Sequence, residues 1–64
     1  MKFVGVVGST IYLVHENMQF AVSAPSVYKK EPVIGSYTDT GGNKQIVKRD
    51  SIYGVQIIKE LRKI

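Results

Sequence analysis

The chain has 64 residues, 44% of them hydrophobic, a net charge of +4 at pH 7, no cysteine and one histidine. That length holds a single domain, residues 1–64, whose core supplies only about 3–5 kcal/mol, and the absence of cysteine excludes disulfides and thiol nucleophiles. One histidine leaves no set of nitrogen and sulfur donors for a metal, so no metal or other cofactor is expected and self-association into a homo-oligomer becomes the expected supplement to a thin core.

No apolar run approaches the roughly 18–20 residues of a membrane span, so no membrane partner is expected. Met1 to Gly8 is apolar with one lysine but leads into Ser9 and Thr10 rather than a cleavage site, and reads as a strand. With no export signal, the expected location is cytoplasmic.

Valine, isoleucine, tyrosine and phenylalanine dominate the first 58 residues and are interrupted by turn formers at short intervals, the pattern of a small β-barrel or sandwich. The first strand is Lys2 to Val7, and Gly5 within it marks a bend or a close backbone approach. The next two are Thr10 to Val14 and Met18 to Ser23, a hairpin with two available registers. A two-residue turn at Glu16 and Asn17 sets Leu13 opposite Phe20; a three-residue loop with left-handed Asn17 sets Tyr12 opposite Phe20. Asparagine tolerates positive φ better than glutamate, which favours the longer loop.

Ala24 to Pro32 contains both prolines and reads as a surface connection, with one helical turn after Pro25. Pro32 opens a strand to Asp39, and Thr40 to Asn43 turn it back into Lys44 to Arg49. With Gly41 and Gly42 as the central pair, Asp39 faces Lys44 and Tyr37 faces Ile46. On this last strand Lys44, Ile46 and Lys48 share one face, and Gln45, Val47 and Arg49 the other.

Residues 51–64 support two readings. As a helix from Ser51, capped by Asp50 or Ser51, they gather Tyr53, Ile57, Ile58, Leu61 and Ile64 on one arc. Gly54 and the β-branched Ile52, Val55, Ile57 and Ile58 oppose it and tip the reading towards a tight turn, a strand from Val55 to Ile58 and a basic tail. Val47, Lys48, Arg49, Asp50, Ser51, Ile52, Tyr53, Gly54 and Val55 resemble the closing strand, turn and strand of Sm-like and other SH3-like barrels, with Arg49 where Sm-like proteins carry a glycine. The resemblance implies a small barrel. The expected fold is therefore mostly β: a five-stranded antiparallel barrel, SH3-like or OB-like, with a short C-terminal helix or basic tail.

Catalytic groups are scarce. His15 and Glu16, if adjacent in a strand, point to opposite faces, and any Ser-His-carboxylate triad would need this one histidine. Gly5, Gly8 and Ser9 lack the lysine of a phosphate loop. No enzymatic activity is expected. The charge is more informative: Lys44, Lys48, Arg49, Lys59, Arg62 and Lys63 oppose only Asp50 and Glu60 in the last third, while the first 42 residues balance. That cluster, with stacking surfaces available from Tyr12, Tyr28, Tyr37 and Tyr53 and Tyr37 or Tyr53 preferred, makes nucleic-acid binding the first expectation. If about four phosphates are neutralised, raising salt from 50 to 200 mM weakens binding on the order of 100-fold. The alternative is a homo-oligomeric protein-binding module, an inhibitor or assembly adaptor, docking another protein by a strand edge or by Ile57, Ile58, Leu61 and Ile64.

Overall fold

The computed structural model describes residues 1–63; Ile64, placed by its sequence on the apolar stripe, lies outside the described residues. Strands β1 (Lys2–Val7), β2 (Thr10–His15), β3 (Met18–Ser23), β4 (Val33–Thr38) and β5 (Lys44–Lys48) form one antiparallel sheet in chain order. Helix α1 (Ala24–Tyr28) links β3 to β4, and α2 (Ile52–Leu61) follows β5. Among the described residues the sheet is open: β1 and β5 are edges, and no pairing between them closes a barrel.

Helix α2 replaces the turn, closing strand and tail that the β-branched residues favoured, and with them the local likeness to Sm-like barrels. Two local features outweigh propensity. Ser51 caps the helix, its Oγ accepting from the Gly54 N–H at 3.0 Å and donating to the Lys48 carbonyl at 2.7 Å. The apolar arc then buries Ile57 in the core and packs Tyr53, Ile58 and Leu61 against it. Gly54, an apparent helix breaker, is required by the same packing. A Cβ there would fall on the Lys48 carbonyl oxygen and lie 2.7 Å from that of Arg49, so only glycine lets the helix start directly above the end of β5.

The core lies between the sheet and α2. Leu13, Phe20, Val22, Ile34, Val47 and Ile57 are each no more than 1% exposed. Phe20 is the centre of an aromatic cluster, stacked on Tyr37 at 4.9 Å and edge-on to Tyr53 at 5.4 Å between centroids.

The β2–β3 hairpin takes the shorter-loop register of the two available, not the favoured one, and the β4–β5 register differs from expectation. In the β2–β3 hairpin Leu13 faces Phe20 and His15 faces Met18, so the loop is the two-residue Glu16 and Asn17 turn. Glu16, not Asn17, takes the positive φ, at 57°. The β1–β2 turn has the same pattern with Gly8 at φ 61°. A positive φ at the first turn position alone is the type II′ pattern, which glycine fills without strain. Glu16→Gly should therefore raise stability by about 0.5–1 kcal/mol after the added chain entropy is deducted, read as a higher thermal midpoint. An unchanged or lower midpoint would contradict the strained turn.

In the β4–β5 hairpin Thr38 faces Lys44, Tyr37 faces Gln45 and Ser36 faces Ile46, one residue away from the Gly41–Gly42 register. Asp39 explains the slip. Its carboxylate accepts from the Gly41 N–H at 3.0 Å and the Asn43 N–H at 2.9 Å, and its backbone N–H donates to Asn43 at 3.0 Å. Asp39 thus organises a turn completed by left-handed Gly42 (φ 82°) instead of pairing with Lys44. Register shifts at Val4 and Ile34 add a bulge to β1 and to β4. Gly5, beside the first, follows a bend and has no close backbone neighbour.

Candidate nucleic-acid interface

Partners in an antiparallel pair share a face, so the register identifies what the uncovered side of the sheet presents. One row crosses all five strands: Lys2, Val14, Gln19, Thr38 and Lys44. At roughly 4.8 Å per strand the two lysines stand about 19 Å apart. The adjacent row is Gly5, Tyr12, Ala21, Ser36 and Ile46. Lys48 lies on the same side, opposite Val33. Tyr12 is 41% exposed and Ile46 62%.

Small residues shape this surface. Ala21 and Ser36 leave a shallow depression of about 240 Å³ lined by Tyr12, Gln19, Thr38 and Lys44 among others. None of the open-face strand residues is acidic. Glu16 sits in the β2–β3 turn, and the Asp39 carboxylate is occupied by its own loop.

The six basic residues of the C-terminal third do not form one patch. Lys44 and Lys48 share the open face with Ile46, as strand alternation requires, whereas Val47 is buried on the other side. Arg49 turns to the helix side, where its Nη1 donates to the Val27 carbonyl at 3.1 Å, and it lines a second cavity together with Arg62. Lys59 is exposed on α2, and Lys63 lies 3.5 Å from Glu60. Tyr37 and Tyr53 are half-buried, with ring centroids 5.4 Å apart and both rings against Phe20. Ile57, Ile58 and Leu61 are packed into or against the core.

Lys2 stands outside the basic cluster that the sequence marks, and Tyr12 is one of the four tyrosines it offers for stacking, behind Tyr37 and Tyr53. Only the register across five strands brings them beside Lys44. His15 and Glu16 do converge, with Nε2 3.8 Å from Oε1, because Glu16 belongs to a turn and not to a strand. The His15 ring also meets Tyr53 edge-on at 5.9 Å. No group of three or more potential metal-ligating side chains gathers among the described residues. No helix among them is long and apolar enough to cross a membrane. No protein-family model, curated protein or solved structure matches the chain.

Proposed function

We propose that this chain is a non-enzymatic module that binds single-stranded nucleic acid on the open face of its sheet. The observation that carries this reading is the acid-free row from Lys2 to Lys44 beside an exposed Tyr12 and a shallow depression. A base stacks on Tyr12 over the small Ala21 and Ser36, within reach of the polar groups of Gln19, Ser36 and Thr38. Lys2, Lys44 and Lys48 take phosphates along the strand. Such a site tolerates many sequences, since every base offers a ring face and the lysines act as point charges.

Three lysines acting together give a smaller salt effect than the whole C-terminal third would. With about three phosphates neutralised on a single strand, the slope of log affinity against log salt is about −2, so binding weakens about 20-fold between 50 and 200 mM salt. Replacing Lys2, Lys44 and Lys48 together by glutamine should flatten that dependence and reduce affinity at 50 mM by at least about 20-fold. Replacing Lys59 and Lys63 should leave it nearly unchanged. The reverse ranking, measured by fluorescence anisotropy with a labelled oligonucleotide of about ten nucleotides, would sink the open-face reading.

A second reading, a homo-oligomeric protein-binding module, is favoured by the exposed edge. β1 has one unpaired side, and Val4, Val6 and Val7 are each more than half exposed. Long apolar edges pair readily with another strand. In this reading Val4→Lys with Val7→Lys converts an oligomer into a monomer by light scattering; a wild-type chain that is already monomeric removes it.

A further inference from the structure

The helix side of the sheet holds a larger cavity, of about 380 Å³, between β1, α1 and α2. Phe3, Ile11, Val27, Ile58 and Leu61 supply apolar walls, and among the described residues Arg49 and Arg62 supply the only charged side chains in the lining. Arg49 is half-buried and Arg62 exposed. One N–H of Arg49 is engaged by the Val27 carbonyl; among the described residues no carboxylate pairs with either guanidinium.

Two further residues mark the cavity as incompletely covered. Val6 and Tyr28 line it while remaining 56% and 85% exposed. Apolar surface is thus left in water directly beside two cations that pair with no carboxylate among the described residues. An apolar chain alone would cover the walls and further desolvate the guanidinium groups, which costs free energy unless an anion accompanies it. A free anion alone would leave the walls wet. A molecule with both parts satisfies the site, and a planar carboxylate suits the forked donors of arginine.

We infer that this groove binds an amphipathic anion, a monocarboxylate with an apolar chain of medium length. Decanoate serves as a probe of medium chain length for an open cleft of about 380 Å³. The tail lies along Phe3, Ile11, Ile58 and Leu61, and the head meets the free N–H groups of Arg49 with Arg62 adding charge at the rim. This site goes beyond nucleic-acid binding and lies on the opposite side of the sheet from it.

The test is an amide-shift titration of the full chain with decanoate, decanol and decyltrimethylammonium, each kept below its micelle concentration. Decanoate should give saturable shifts at Phe3, Ile11, Val27, Ile58 and Leu61; decanol should bind at least about 10-fold more weakly, and the cation not at all. Arg49→Gln keeps an amide donor for the Val27 carbonyl while removing the charge, and should weaken decanoate about 10-fold. These ligand comparisons use the wild-type chain, so a variant that fails to fold does not decide the matter. Equal binding of decanol and decanoate, shifts centred on Tyr12, Ser36 and Lys44, or no saturable shift would overturn the assignment. Oligonucleotide affinity should be unaffected by decanoate, so either site can fail without the other.

Discussion

Gly54→Ala should unfold this protein or leave it barely folded, although alanine is the better helix former by about 1 kcal/mol. The added methyl group would meet two backbone carbonyls, of Lys48 and Arg49, that the Ser51 cap and the end of β5 hold in position. A flexible side chain could move aside, but these atoms cannot move without lifting α2 from the sheet. The expected loss is about 3 kcal/mol or more, on the scale of the whole core's contribution in a chain this small. In thermal denaturation followed by circular dichroism that loss lowers the midpoint by about 12–24 °C. Gly41→Ala is the matched control: its nearest neighbours are side-chain tips of Asn43 and Asp39 at 3.4 Å, so the change should stay within about 0.5 kcal/mol. A Gly54→Ala protein as stable as the wild type would mean that α2 does not start against β5.

Phe20→Ala should be comparably severe for a different reason. Phe20 is 1% exposed and joins the sheet to the helix through its contacts with Tyr37 and Tyr53. Truncation to alanine removes both aromatic pairs and leaves a cavity at the centre of the core, at a cost of about 3–5 kcal/mol. Phe20→Leu keeps most of the apolar volume and loses chiefly the ring pairs, about 2 kcal/mol. The expected urea series is a wild-type transition, an earlier but cooperative one for leucine, and no cooperative transition for alanine. Full stability of the alanine variant would contradict Phe20 as the centre of the core.

Much of the fold was legible because alternation is a strong signal. The expected strands coincide with β1 and β3 and differ by a residue or so at the ends of β2, β4 and β5. The helical turn after Pro25 is α1. What failed were choices between local preferences and tertiary demands. Asn17 is the better left-handed residue, but the hydrophobic face of β2 and β3 fixes Leu13 opposite Phe20, and Glu16 accepts the positive φ that follows. Ile52, Val55, Ile57 and Ile58 look strand-like beside a cap and an apolar arc that the sequence also offers, and the burial of Ile57 decides for the helix. Gly54 looked like evidence against a helix and is a consequence of where the helix begins.

The candidate site was less legible. The charge asymmetry drew notice to Lys44 and Lys48, which do reach the open face, but also to cations that strand alternation and the chain reversal into α2 direct elsewhere. Proximity in sequence misled because residues a few positions apart on a strand and the following helix end on opposite sides of the sheet. Of the three tyrosines on the sheet and α2, Tyr12 is exposed, whereas Tyr37 and Tyr53 lean on Phe20; Tyr28, the most exposed tyrosine, lies on α1 away from the open face. Stacking candidates can be separated from core aromatics only once the register is known.

The most direct measurement is the amide-shift footprint of a single-stranded oligonucleotide of about ten nucleotides on the labelled wild-type chain at 50 mM salt. Shifts concentrated at Lys2, Tyr12, Gln19, Ala21, Ser36, Thr38 and Lys44, reduced at 200 mM salt, are the expected result. A footprint on Lys59, Arg62 and Lys63 with the open face unmoved, or no footprint at 50 mM, would contradict it.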